Sequence, residues 1–233
     1  NDQAIRSDFE LLTRGRTSQA LSPTNTVVGE GQIFVEPGAK VECAILNASS
    51  GPIYIGKNAE VMEGAMIRGS FALGERAVVK MGAKIYPGTT VGHHSTVGGE
   101  LKNVVIFGHS NKGHEGYLGN SVIGEWCNLG ADTNCSNLKN NWSEIKIWNY
   151  VQGDFTPSGQ VKAGLFMGDF SMSGINSMFN TGTVVGLCCN IFGGDFPPKF
   201  VPSFSWGGGS HFSTYLPDKA FEAVERMMKM HGH

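Results

Sequence analysis

An aliphatic side chain recurs at every sixth position from residue 55 to 97, and this spacing constrains the fold more than any other feature of the chain. The eight members are Ile55, Val61, Ile67, Leu73, Val79, Ile85, Val91 and Val97. Six is a multiple of the strand period of two, so the eight side chains share one direction if each hexad is a short strand that ends in a corner. Repeats of six residues predict a parallel β-helix, which is an all-β solenoid.

Small residues at fixed offsets support corners in this coil. Four residues after the aliphatic positions stand Ala59, Ala65, Ala77, Ala83, Thr89 and Ser95, with Phe71 as the one large exception. Directly after the aliphatic positions stand Gly56, Gly74, Gly92 and Gly98, which supply backbone freedom at bends. The 33 glycines of the chain are therefore interpreted as corner residues rather than as a sign of disorder.

The hexads divide the chain into three parts. Residues 1–20 place apolar side chains at helical spacing before a polar linker, and we interpret them as a connecting helix from an upstream domain. Residues 21–195 form the coil, with loops expected at about 102–117 and 136–163, where the hexads fail. Residues 196–233 are a proline- and glycine-rich loop followed by an amphipathic helix that is expected to cap the coil or to pack on a neighbour.

Composition narrows the function classes. The net charge is −2, the pI is near 6.4, and Lys and Arg form no stripe, which argues against nucleic-acid and anionic-membrane partners. No apolar run approaches the ~20 residues that span a bilayer, and no signal peptide opens the sequence, so a soluble protein is expected. The odd number of cysteines indicates a reduced, cytoplasmic setting. The five cysteines lack zinc-ribbon spacing, and Cys135 falls in register with Ile123 and Leu129, so it is expected to fill the core rather than to act as a nucleophile.

One polar stretch carries a family resemblance. It consists of Lys112-Gly113-His114-Glu115-Gly116-Tyr117-Leu118-Gly119, Ile123-Gly124, Asn128-Leu129-Gly130-Ala131-Asp132-Thr133 and Cys135-Ser136-Asn137. The spacing resembles the acetyltransferase half of the bifunctional glucosamine-1-phosphate acetyltransferase and N-acetylglucosamine-1-phosphate uridyltransferase, and of similar sugar nucleotidyltransferases. The resemblance covers roughly residues 55–195. It implies a left-handed coil, which periodicity alone does not set.

The resemblance implies a site and its ligands. It assigns His114 as the general base. It also implies acetyl-coenzyme A as the acyl donor and a site without a metal ion. Contacts to an amino-sugar 1-phosphate are implied for Lys80, Lys112, Tyr117 and Asn128, and contacts to the coenzyme for Ala131, Asn137, Lys139 and Gly193. It also implies a homotrimer with the site between neighbouring coils, and a parent protein with a nucleotidyltransferase domain, although this chain lacks the glycine-rich loop which that reaction needs.

Two departures from the family leave the sugar open. A lysine that the family carries near Gly98 is missing, and Leu138 stands where a tyrosine usually follows the asparagine. Either glucosamine-1-phosphate or a related amino-sugar phosphate therefore fits the motif.

The chemistry of N-acetylation suits a histidine. An amino sugar is largely ammonium at neutral pH, so a base must remove a proton before the amine attacks a thioester, and imidazole titrates in the right range. Each candidate also has an ordinary structural interpretation. His114 could be a hydrogen-bonded surface residue, Asn137 a turn residue, and each lysine a solvated charge.

Two other functions remain open at the level of sequence. His109 and His114 are five residues apart, as in the zinc site of gamma-class carbonic anhydrases, but Leu73 stands where the third histidine of that class is expected. The coil could also be a catalytically silent trimerisation scaffold for a nucleotidyltransferase domain.

Overall fold

The computed structural model describes residues 1–209 and 211–232. Ser210 and His233, which belong to the predicted C-terminal segment, lie outside the described residues. Helix α1 spans Asp2–Thr13, a short 3-10 helix spans Glu30–Gln32, and helix α2 spans Pro217–Met230. Between the two α-helices the chain is a coil of short parallel strands. The predicted fold class, a left-handed parallel β-helix of hexapeptide repeats with a helix at each end, is confirmed.

The strands are short, as the hexads require. The first half of the coil contains β1 (Thr26–Val28), β2 (Ile33–Val35), β3 (Lys40–Val41), β4 (Ile45–Asn47), β5 (Ile53–Ile55), β6 (Glu60–Val61), β7 (Met66–Arg68), β8 (Phe71–Leu73), β9 (Val78–Val79), β10 (Lys84–Tyr86), β11 (Thr89–Val91), β12 (Thr96–Val97), β13 (Glu100–Ile106) and β14 (Asn111–Lys112). The remainder contains β15 (Tyr117–Ile123), β16 (Asn128–Leu129), β17 (Asn134–Cys135), β18 (Lys146–Asn149), β19 (Asp154–Pro157), β20 (Leu165–Met167), β21 (Met172–Ser173), β22 (Met178–Phe179), β23 (Thr183–Val185), β24 (Asn190–Ile191), β25 (Phe200–Val201), β26 (Ser205–Gly208) and β27 (His211–Thr214).

Successive turns of the coil stack their strands into three faces. The first face contains β2, β5, β8, β11, the second halves of β13 and β15, β20, β23 and β25. The second face contains β3, β6, β9, β12, β14, β16, β21, β24 and β26. The third face contains β1, β4, β7, β10 and the first halves of β13 and β15, with β17 and β22 paired further along the coil.

The hexad positions form the core of the coil. All eight aliphatic residues of the long hexad run are buried, and none is more than 2% exposed. Cys135 is also buried, and burial raises the pKa of its thiol to about 12, which agrees with a core-filling role. The polar Ser173 at an inward position is accommodated because its Oγ lies 2.9 Å from Thr133 Oγ1 inside the coil.

The six-residue period fails beyond the long run because the turns of the coil become shorter. Leu73 pairs with Val91, eighteen residues on, as three hexads require. Val91 then pairs with Ile106, fifteen residues on, and Ile106 pairs with Ile123, seventeen residues on. The segment 102–117, which we expected to be a loop, is therefore part of the coil. A period search cannot recognise a turn that has lost residues.

A different segment does leave the coil. It begins after Asn137 and ends at Ala163, whose N–H donates to the Asn137 carbonyl at 3.0 Å. Within it, β18 and β19 form an antiparallel hairpin. Trp148 of this hairpin stacks on Phe200 with ring centroids 4.0 Å apart, so the hairpin folds back over the first face.

The terminal helices pack along the sides of the coil. At the start of α1, Asn1 Nδ2 donates to Gly88 O and to Thr90 Oγ1, both at 2.9 Å, which holds the helix against the first face. Phe221 of α2 meets Phe204 edge-on at 5.9 Å, and His231, directly after the helix, meets Trp126 at 5.6 Å. Helix α2 thus lies along the edge between the first and second faces of its own coil rather than over the end.

Among the described residues, no helix combines the length and the apolar character that a membrane crossing requires.

Candidate active site

The candidate site lies at the corner where the second face turns into the third, between β14 and β15. His114 is exposed at this corner. A Cβ on Gly99, whose φ is +71°, would stand 2.8 Å from the carbonyl oxygens of His114 and Gly116. A Cβ on Gly116, whose φ is +118°, would stand 2.2 Å from Thr133 O. The turns on both sides therefore pack closely against the backbone of this corner. Only glycine fits at Gly99 and Gly116.

Residues from four turns form a column along this corner. The paired strands of the second face are in register at Asn111, Asn128, Met172 and Asn190. Three positions beyond these partners stand His114, Ala131, Ile175 and Gly193. Neighbouring strands are about 4.8 Å apart, so the column runs for about 14 Å along the coil axis. The structure thus aligns three residues that the sequence had suggested for the base and for coenzyme contacts.

A strip of glycines borders this column on the second face. Its members are Gly98, Gly113, Gly130 and Gly174. The strip is tightly packed, since a Cβ on Gly130 would stand 2.5 Å from the carbonyl carbon of Gly174. Lys80 extends onto the strip, and its Nζ lies 3.7 Å from the place of a Cβ on Gly113, next to His114. The corner therefore combines an exposed imidazole, a nearby ammonium and glycine backbone that carries no side chains.

Tyr117 and Asn137 meet on the third face. Asn137 Nδ2 donates to the Tyr117 hydroxyl at 3.0 Å and to Asn120 Oδ1 at 2.7 Å. These groups fill the space of a missing side chain at Gly119, where a Cβ would stand 2.2 Å from the Tyr117 hydroxyl. Burial raises the pKa of Tyr117, so the phenol stays protonated and can donate a hydrogen bond.

Glu115 does not orient His114. Its carboxylate lies 3.9 Å from the Lys84 ammonium on the third face, and both side chains are exposed. A pair of this kind contributes little to stability.

Lys112 is not on the surface. Its side chain is 1% exposed and points into the coil, where Nζ donates to backbone carbonyls. This position is at odds with the contact to a sugar phosphate that the resemblance implied. A two-residue strand whose other member, Asn111, faces outward leaves Lys112 only the inward direction.

Two further candidates lie away from the corner. Asn128 is exposed on the second face, whereas Tyr117 is on the third, so the two flank the corner from opposite sides. Lys139 belongs to the segment outside the coil, and its Nζ donates to Ser143 Oγ at 3.2 Å and to Glu144 O at 2.6 Å. Lys139 lines a groove of about 780 Å³ together with Trp148, and this groove does not include Gly193.

Gly193 lines a different groove, of about 700 Å³, at the end of the corner column. Its φ is +114°, and among residues 1–209 and 211–232 the one atom within 4 Å of the place of a Cβ is Gly208 Cα, at 4.0 Å. Phe192 and Trp206 line the same groove and are 41% and 38% exposed. An open backbone next to accessible aromatic rings can receive a long flexible ligand that runs along the column.

His109 and His114 do not converge within one chain. They lie at opposite ends of β14, up to about 16 Å apart along extended backbone. His109 stacks on Trp126 with centroids 4.2 Å apart, at the corner between the first and second faces. Among residues 1–209 and 211–232, no group of three or more His, Cys, Asp and Glu side chains is arranged to hold a metal ion.

Two parts of the site had no counterpart in the sequence-based predictions. Asn120, which orients Asn137, adopts a left-handed backbone with φ of +49°. The Gly119-Asn120 pair signals such a turn, but not its contact with a residue seventeen positions on. The role of Gly99 depends on the neighbouring turn and left no local signal.

Comparison with known proteins bears on this geometry. No family model matches the chain. The chain is 31% identical over 146 residues to the bifunctional sugar-1-phosphate nucleotidylyltransferase/acetyltransferase of Sulfurisphaera tokodaii, a match that covers 62% of this chain and 36% of the relative. It is 33% identical over 111 residues to the bifunctional protein GlmU of Methanocaldococcus jannaschii, covering 47% and 26%. The predicted resemblance is confirmed. The chain is similar in sequence to parts of these bifunctional proteins.

These matches are partial in length. The chain spans about a third or less of the length of the two archaeal relatives. The uncharacterized acetyltransferase YaiX of Escherichia coli is 26% identical over 148 residues, which cover 60% of this chain and 61% of that protein. A solved structure of Arabidopsis UDP-N-acetylglucosamine acyltransferase aligns with a TM-score of 0.48 at 14% identity, covering 91% of this chain and 79% of the other.

Proposed function

We propose that the chain is an N-acetyltransferase that moves the acetyl group of acetyl-coenzyme A to the amine of an amino-sugar 1-phosphate, such as glucosamine-1-phosphate. The observation that carries this proposal is the corner column, in which an exposed histidine is aligned with Ala131 and Gly193 over about 14 Å. The names of the relatives support the reaction class. The same site in a longer protein would serve sugar-nucleotide synthesis beside a nucleotidyltransferase domain.

The residues of the corner suit the donor. Acetyl-coenzyme A supplies an activated acetyl thioester on a long flexible arm. Ala131 and Gly193 are small residues beside which such an arm can lie, the exposed Ile175 stands between them, and the groove at Gly193 gives space at the far end of the column. Backbone N–H groups of the glycine strip are candidates to stabilise negative charge that develops on the thioester oxygen.

His114 provides the proton transfer. The sugar ammonium gives a proton to the imidazole, and the free amine then forms a bond to the thioester carbonyl carbon. The carbon–sulfur bond then breaks, and a second proton from the nitrogen passes to the leaving thiolate. The products are the N-acetylated sugar phosphate and the free thiol, and the protonated His114 returns its proton to water. A positioned general base typically contributes ~10²–10⁴-fold to such a step.

Polar groups on both sides of the corner can orient the sugar phosphate. The Lys80 ammonium lies near Gly113, the residue before His114, where a point charge could bind a phosphate. The Tyr117 hydroxyl, held by Asn137, can donate to a sugar oxygen on the third face. Asn128, which is exposed on the second face, would serve a neighbouring copy in a homotrimer with the site between coils. A cytoplasmic location suits such substrates.

The direct test is an acetyl-transfer assay with a panel of amino-sugar 1-phosphates, including glucosamine and galactosamine, without added metal. His114→Gln is expected to lower kcat by ~10²–10⁴-fold while coenzyme binding persists. His109→Gln is the matched control. Because His109 packs at another corner, this substitution should lower kcat far less. Equal losses from both variants, together with loss of a bound zinc ion and of carbon dioxide hydration, would favour the carbonic anhydrase function.

A silent scaffold is distinguished by binding. A chain that forms trimers but binds no acetyl-coenzyme A in calorimetry would support the scaffold function over the enzyme. A 25 kDa monomer in sedimentation at micromolar concentration would remove the shared site.

A further inference from the structure

Lys112 occupies a position that the coil otherwise gives to apolar side chains. It pairs with Val97 on the preceding turn, and Asn111 pairs with Asn128, which places Leu129 beside Lys112 on the next turn. Val97 and Leu129 are both buried in the core. A charged group at such a position is costly unless it is hydrogen-bonded, so its contacts indicate why it is there.

The Lys112 ammonium is bound to the corner that carries His114. Nζ donates to Gly98 O at 3.3 Å, to Glu115 O at 3.1 Å and to His114 O. These three acceptors match the three protons of the ammonium. Two belong to the corner itself and the third to the turn below, so one side chain joins both turns from inside the coil.

The three carbonyls that Lys112 contacts have few other hydrogen-bond donors among the described residues. Glu115 O also accepts from the Asp132 N–H at 3.1 Å. Among the described residues, Lys112 is the hydrogen-bond donor found for the carbonyl oxygens of Gly98 and His114. Removal of the ammonium would therefore loosen the carbonyl of His114 itself, although the glycine contacts would still limit larger movements.

We infer that Lys112 is a positioning residue, which fixes from the core the direction in which the His114 ring projects. This inference rests on the proposed role of His114 as general base. Lys112 does not touch the substrate. It acts through the backbone on which the base is mounted, and proton transfer depends on the placement of that base within hydrogen-bond reach.

Burial and charge around Lys112 are consistent with a cation held for this purpose. Burial lowers the pKa of Lys112 to about 8, while the carboxylates of Glu115 and Asp132 act in the opposite direction. The ammonium form is therefore still the main form at neutral pH.

The test compares Lys112→Met with Ile55→Val in the full chain. Methionine keeps the length and apolar stem but has no proton to donate. Ile55→Val perturbs the same core on the first face, away from the corner. Hydrogen exchange followed by mass spectrometry reports on the backbone of 98–100, 113–117 and 131–133, and steady-state kinetics with calorimetry reports on catalysis and coenzyme binding.

Lys112→Met is expected to speed exchange in these three segments by about 10-fold and to lower kcat by about 10–100-fold, with the coenzyme Kd changed less than about threefold. Ile55→Val should change neither the exchange at the corner nor kcat. Native exchange and native kcat in Lys112→Met would overturn the inference, as would an equal loss in Ile55→Val. If the native protein acetylates no member of the substrate panel, the proposed function fails, while the exchange data still decide whether Lys112 holds the corner.

Discussion

The buried ammonium of Lys112 should give the protein a distinctive dependence of stability on pH. Burial lowers its pKa from the ordinary 10.5 to about 8 in the folded chain. Between these values the unfolded chain holds a proton that the folded chain has lost. The free energy of unfolding therefore rises with pH in this window through this group, because the unfolded state binds more protons.

The size of this contribution follows from the two pKa values. Integration from pH 7 gives about 1.4 kcal/mol at pH 9 and about 2.5 kcal/mol at pH 10. Lys112→Met lacks the titrating group and should show none of this increment. The free energy of unfolding of the native protein, minus that of Lys112→Met, should therefore increase by these amounts. Tyr54 and Cys127, whose pKa values are raised to about 12, act in the opposite sense but are common to both proteins.

The assay is urea unfolding of both proteins at pH 7, 8, 9 and 10, followed by circular dichroism at one protein concentration. The quantity of interest is the difference between the two proteins at each pH, which removes the shared groups. A difference that stays constant within about 0.5 kcal/mol from pH 7 to 10 would refute the lowered pKa of the buried Lys112. A difference that falls as pH rises would show that the ammonium is favoured, not disfavoured, in the fold.

Three further outcomes are expected. Gly99→Ala should lower the free energy of unfolding in urea by about 1–2 kcal/mol because of its left-handed φ alone, and should lower kcat by displacing the His114 carbonyl. Unchanged values would contradict the close packing of this corner. Of the five free cysteines, Cys43 alone is exposed, so a thiol reagent should titrate one group in the native protein and five after unfolding; more than one native thiol would contradict the burial of the others. Trp148→Ala should detach the hairpin from Phe200 and speed proteolysis at 138–162, with kcat nearly unchanged; loss of activity would show that the hairpin serves the site.

The coil and its inward residues were readable from the sequence because both are local. Side-chain direction within a strand alternates, so a six-residue period identifies the buried face without knowledge of any partner. The same holds for α2, whose apolar stripe shows helical spacing. The motif around His114 was equally visible, because its residues are close in the chain and their spacing resembles that of relatives.

The contacts between turns were not readable in this way. The shortened turns after Val91 removed the period, and a segment of the coil was mistaken for a loop. The motif also placed Lys112 among the surface residues, because its spacing gives an order along the chain and not a direction. That Lys112 is buried and His114 exposed depends on the corner between β14 and β15.

The sequence by itself thus determined a coil with a known inner face and a histidine-bearing motif on one of its turns. Only the tertiary structure decided that His114, Ala131 and Gly193 share one corner, that Tyr117 meets Asn137, and that Lys112 supports the corner from within. The physical reason is the same for all three. Neighbours in a β-helix are fifteen or more residues apart along the chain, and the number of residues in each turn sets which of them meet.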